Sequence, residues 1–134
     1  MTDSITRLNP ASLPNSSAMG YSQISIVDPG RLAFVSGQVA WSDNGAPAPD
    51  DLAEQAKHVF KNASTALASL GATTKDLVIV RIFATDLTPE RLDTLFPLLV
   101  GWFDGAQPSV TGVGVAALAA PDLQLELEMT VRVP

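Results

Sequence analysis

The sequence contains no cysteine. Disulfides, thiolate nucleophiles and cysteine-based metal sites are therefore excluded. Its one histidine, His58, cannot form a histidine metal cluster by itself. Positive charge is also scarce: eight Lys plus Arg stand against fourteen Asp plus Glu, for a net charge of −6. The cations Arg7, Arg31, Lys57, Lys61, Lys75, Arg81, Arg91 and Arg132 are scattered and form no stripe. A phosphate backbone finds no electrostatic support in that pattern, so no nucleic-acid partner is expected. No apolar run reaches membrane length and no segment reads as a signal peptide, which predicts a cytoplasmic protein with no membrane partner. Charged residues make up only 16% of the chain, so some surface is expected to be buried against copies of itself.

The chain has 134 residues and is 46% apolar, which suits one globular domain over residues 1–134 with a real core. Residues 1–17 are rich in Ser, Asn and Pro and read as an irregular lead-in, within which "SITRLN" allows a short strand. Two alternating runs, "YSQISIV" and "RLAFVSGQVA", flank Asp28-Pro29-Gly30 and predict a β-hairpin. A loop then ends at Asp50 or Asp51, either of which can cap a helix. That helix runs to about Leu70, with Leu52, Ala56, Val59, Phe60, Ala63, Leu67 and Leu70 on one face and Gly71 beyond its end. The nearly continuous apolar run "DLVIVRIFATD" reads as a strand covered on both faces or paired centrally. A second helix opens at Thr88-Pro89 and carries Pro97 inside, where a kink is expected. Two strands close the chain, Pro108 to Leu118 and Leu123 to Val133.

This order predicts an α+β fold, a mixed sheet with two helices on one face. Two helices leave the other face open, and a symmetry mate is the simplest cover for it. In "PSVTGVGVAAL" two glycines weaken the strand and mark a close approach. If the apolar sides meet the helices, the open face carries Gly112, Gly114, Glu126 and Glu128, and another subunit would approach the glycines there.

Several short motifs recur in order: "GYSQ" (Gly20 to Gln23), "SGQ" (Ser36 to Gln38), "EQ" (Glu54, Gln55), Asn62, the "LG" closing the first helix, a "P-x-x-T" at Pro108, and "LELE" in the last strand. Together they make the chain resemble the RidA/YjgF family, the reactive-intermediate imine/enamine deaminases, over about residues 18–132. The resemblance implies a chorismate-mutase-like fold and a homotrimer with small-molecule clefts between subunits. It implies hydrolysis of imines tautomerised from enamines, releasing ammonia and a 2-keto acid, with no cofactor and no metal. Some members were labelled endoribonucleases or translation inhibitors, a role that the acidic charge here opposes.

Carried over by position, the resemblance places Tyr21 and Ser36 in the cleft and makes Glu126 the catalytic carboxylate that orients the attacking water. The family's substrate-binding Arg belongs to "P-x-R-[ST]", which here reads Pro108, Ser109, Val110, Thr111. Val110 thus stands at the Arg position, Gly112 stands where a Cys is frequent, and the second helix has no Asn where deaminating members often carry one. An Arg fork binds a carboxylate through two charge-assisted hydrogen bonds. Valine offers none, and a buried charge left unpaired costs about 2–5 kcal/mol. Val110 and Gly112 therefore predict a roomier, more apolar cleft for a bulkier or uncharged ligand.

Each of these residues also has a plain structural reading. Glu126 can be a solvated strand charge, and Glu128 an intersubunit salt bridge or axial carboxylate. Tyr21 can be a packed strand-start tyrosine, and Ser36 a small residue suited to sheet packing. His58 reads as solvent-exposed, Trp102 as core, and Trp41 as a residue at the cleft mouth. Three functions remain open: an imine or enamine hydrolase with a substrate range less dependent on a carboxylate, a non-catalytic small-molecule-binding or regulatory trimer, and a pathway-specific enzyme for an uncharged or aromatic substrate.

Overall fold

A computed structural model describes residues 4–134. The short strand allowed within the lead-in is present as β1 (Ile5–Leu8), paired antiparallel with β2 (Ile24–Val27). The main sheet has four strands: β3 (Leu32–Gln38), β4 (Leu77–Thr85), β5 (Ser109–Val115) and β6 (Leu125–Arg132). Their spatial order is β3-β6-β4-β5, with β4 and β5 parallel and the other pairs antiparallel. A single parallel bridge, Ser22 to Ser109, joins the small sheet to the edge of the large one.

The expected hairpin between β2 and β3 does not form, because β2 pairs with β1 and β3 pairs with β6. A tight three-residue hairpin turn needs a left-handed residue, and Gly30 is not among the positive-φ glycines. Instead the Arg132 guanidinium lies over Gly30, where a Cβ would collide with it, and donates to the carbonyls of Asp28 (3.2 Å) and Pro29 (3.0 Å). The turn is thereby fastened to β6.

Both helices start where short-range chemistry places them. Asp51 caps α1 (Leu52–Ser69) by accepting from the Glu54 amide at 3.1 Å. Gly71 follows the helix at φ 66°, in the left-handed region that glycine occupies without strain. Thr88 caps α2 (Pro89–Phe103) and Pro89 fills the first position, where its missing N–H costs nothing.

The helices bury Val59, Phe60, Ala63, Leu95, Leu99 and Phe103 in one core with Val80, Ile82, Ala84, Leu125, Leu127, Met129 and Val131 of the sheet. β4 lies centrally between β6 and β5 and shows its other side, Ile79, Arg81 and Phe83, away from that core. The open face expected from the sequence is therefore present. It carries Glu126 and Glu128, Leu32 and a Phe34 that is 77% exposed.

The glycines are on the opposite side from the one expected. Gly112 stands beside Ile82 and Gly114 beside Ala84, both core-facing residues of β4. They belong to the helix face with Val110, and it is Thr111 and Val113 that share the open face with Arg81 and Phe83. The two-residue period of a strand forces this once Ile82 points inward.

Candidate functional site

The motif around Tyr21 is built by local geometry. Gly20 takes φ 97° and ends a short turn, Ser17–Met19. A Cβ there would lie 2.8 Å from a Val100 methyl, so only glycine lets the backbone come this close to α2. The Ser22 amide then donates to the Pro108 carbonyl at 3.0 Å, fixing the segment beside β5. Tyr21, between these two anchors, meets Phe96 of α2 edge to face, with ring centroids 6.4 Å apart and an interplanar angle of 87°.

Beneath this pair lies a cavity of about 560 Å³ between α2 and β5, within the range of small-molecule sites. Val110 and Gly112 form its β5 wall, Leu92, Asp93, Phe96 and Pro97 its α2 wall, and Met19 and Tyr21 flank it. Open space surrounds the position of a Gly112 Cβ. Among the described residues no Arg, Lys or His lines the cavity, and Asp93 is the one charged residue there.

Ser36 and Glu126 are elsewhere. Glu126 is opposite Phe83 in the register, so it lies on the open face, while Val110 and Gly112 lie on the helix face. Next to it, β3 carries an irregularity between Val35 and Gln38, and Ser36 is exposed there. The Glu126 carboxylate lies over Gly37, at the spot a Cβ would occupy. The glycine of "SGQ" is thus the residue that leaves room for this carboxylate. The structure brings Tyr21, Val110 and Gly112 together; Glu126, over Gly37, and Ser36, which shares its surroundings with Arg81 and Glu128, lie apart from them, and one chain does not join the two groups.

The remaining motif residues hold the fold. Gln55 is fully buried and its amide donates at 2.7 Å to the carbonyls of both Pro49 and Asp122, while its oxygen accepts from the Gln124 amide at 3.0 Å. Asn62 donates to the carbonyls of Val39 (2.9 Å) and Trp41 (3.0 Å). Trp41 is half exposed and donates to Asp122 at 3.2 Å; it does not line the large cavity. The Ala48 amide and the Trp41 indole hold the Asp122 carboxyl below the usual carboxylate range. Glu128 pairs within the chain with Arg81 at 3.0 Å. His58 is half-buried on α1, with Ser42 Oγ 3.4 Å from its ring, and Trp102 stacks on Phe60. No group of His, Asp and Glu able to hold a metal occurs among the described residues. No helix among them is long and apolar enough to cross a membrane.

The fold and these motifs together have counterparts of known family. A family model described as Endoribonuclease L-PSP matches residues 12–133. This chain belongs to that family, also called RidA/YjgF. Among RidA/YjgF relatives, the RutC family protein YjgH of Escherichia coli is 34% identical over 78% of each chain. The mitochondrial protein MMF1 of Saccharomyces cerevisiae is 30% identical over 95% of this chain and 84% of its own. TdcF of Escherichia coli, which carries the name of a reactive intermediate deaminase, is 30% identical over 76% of this chain and 79% of its own. A crystal structure of YyfB from Yersinia pestis, a protein of unknown function in the conserved Rid family, superposes with a TM-score of 0.91 at 31% identity, covering 97% of this chain and 99% of that one.

Sequence reasoning missed Asp93, Phe96 and Pro97 as cavity residues. The signal was present: the three lie at i, i+3 and i+4 on α2, one continuous strip of helix surface.

Proposed function

We propose that the protein is a homotrimer that hydrolyses imines or enamines in clefts between neighbouring copies, with a substrate range less dependent on a carboxylate than the family reaction. The observation that carries this reading is the cavity beside Tyr21, Val110 and Gly112, lined without a single cationic side chain. Val110 stands where the resemblance expects the carboxylate-binding Arg, and a substrate carboxylate entering there would lose its water without gaining a donor.

The chemistry needs a water and a carboxylate. Glu126 of an adjoining copy takes a proton as the water oxygen attacks the imine carbon, and the imine nitrogen is protonated to an amine. The resulting carbinolamine loses ammonia and leaves a carbonyl compound. Because Glu126 and the Val110 wall lie on opposite faces of one sheet, a cleft holding both requires two copies. The exposed Phe34 and Leu32 on the Glu126 face support its burial against a mate. The net charge of −6 supports a small molecule over RNA as partner.

The test is imine turnover, with imines generated in situ by an oxidase from amino acids or from simple amines and followed by absorbance and ammonia release. Hydrolysis of amine-derived imines that is lost in Glu126→Ala supports the proposal. Efficient hydrolysis of alanine- or leucine-derived imine contradicts it. Ligand binding without any turnover assigns the cavity to a non-catalytic binding trimer, the reading that the missing cation also favours.

A further inference from the structure

The cavity on α2 and β5 has its own polarity, and it is the reverse of an anion site. Among the described residues the ion pairs are Lys57–Glu54 and Arg81–Glu128, so the Asp93 carboxylate is not claimed by a cation. The nearest basic residue along the helix, Arg91, is occupied elsewhere, donating to the Thr85 carbonyl at 3.3 Å and to Gln124 at 3.0 Å. Pro97 follows Asp93 by four residues and has no N–H, so it cannot donate the helical hydrogen bond that the Asp93 carbonyl would otherwise receive. Both residues line the cavity. Tyr21 and Phe96 add two aromatic rings set edge to face. A carboxylate and aromatic rings around a hydrocarbon-lined space are the components that recognise an alkylated ammonium.

We infer that this cavity takes a carboxylate-free ammonium or iminium ion bearing an aromatic or branched hydrocarbon group, with the cation at Asp93 and the hydrocarbon between Leu92, Phe96, Val110 and Gly112. The inference rests on the cavity being the ligand site of the proposed function and names the class of molecule that enters it. An iminium is the protonated form of an imine, so the same polarity that holds an amine also favours the electrophilic form of such a substrate. The aromatic group has room because Gly112 projects nothing into the cavity.

The experiment uses three probes of one shape on the intact full-length protein: 3-phenylpropylamine, 3-phenylpropanol and 3-phenylpropionate, titrated by calorimetry at low and at moderate salt. The amine should bind best and the acid worst, with about a tenfold or greater gap between them. Asp93→Asn should weaken the amine by about threefold to tenfold, leave the alcohol unchanged and remove most of the salt dependence of amine binding. Val110→Arg, whose folding is checked by circular dichroism, should shift preference from the amine toward the acid. Equal binding of amine and acid overturns the inference, as does an Asp93→Asn variant that binds the amine like the wild type, or failure of all three probes to bind. None of these measurements depends on turnover. Amine selectivity without imine hydrolysis would leave this inference standing and remove the catalytic one; hydrolysis of amine-derived imines with amine and acid bound equally would do the reverse.

Discussion

The Glu126 carboxylate lies directly over the backbone of Gly37, across the pairing of β6 with β3. Gly37→Ala would drive a Cβ into that carboxylate and turn it away. If Glu126 orients water, imine turnover should fall by about a hundredfold, the lower end of the usual contribution of a general base, while amine binding, which Asp93 and the hydrocarbon wall carry, is largely retained. Kinetics and calorimetry on one preparation check this, and loss of both together would indicate a general disturbance of the sheet.

Phe34 provides the test of assembly. Light scattering should give three times the chain mass for the wild type. Phe34→Glu replaces the most exposed apolar side chain of the open face with a charge and, if copies meet there, should shift the population toward monomer. A wild-type mass near that of one chain, or of a dimer, contradicts the trimer.

Gln55 should matter for stability alone. Gln55→Leu keeps the size but strands the carbonyls of Pro49 and Asp122 and the amide of Gln124, three partly buried groups that lose their partner. Each unsatisfied group costs about 1–3 kcal/mol, so a loss of roughly 3 kcal/mol or more is expected in urea melts. A loss under about 1 kcal/mol would mean that water replaces the amide.

Asp122 gives a pH signature. Its folded pKa is lowered by the hydrogen bonds from Ala48 and Trp41. A depressed carboxylate stabilises the fold fully above its unfolded pKa of about 3.9, and that contribution disappears as pH falls through the lower folded value. The Trp41 loop should therefore loosen only in acid, below the ordinary carboxylate range. Tryptophan fluorescence against pH should show the transition, and Asp122→Asn should remove it.

What could be read from the sequence depended on range. The caps at Asp51 and Thr88 and the glycine after α1 were legible because each acts within four residues of itself. The open sheet face was legible because the alternation of β6 is sharp, Leu125 to Val131 inward and Glu126 to Arg132 outward. The partner of β2 was not legible: it depends on the φ of Gly30 and on Arg132, a residue 102 positions further on. The side taken by Gly112 and Gly114 was also hidden, because β5 has valines on both faces and glycine has no side chain to declare one. Asp93 escaped notice because a charge beside an apolar helix stripe usually marks solvent; it is indeed exposed, and only the cavity's lining shows that it also borders the pocket.

A sheet one backbone thick separates Val110 from Glu126. Within one chain, side chains on the two faces influence each other only through shared strands, so substitutions at 110 or 112 and at 37 or 126 should couple only where neighbouring copies bring the two faces into one cleft. The fold of a single chain thus ties neither surface to the other. A lineage could replace its ligand by drifting on one surface of β5 and α2 while the other surface is inherited intact, and a designer could borrow either surface without the other.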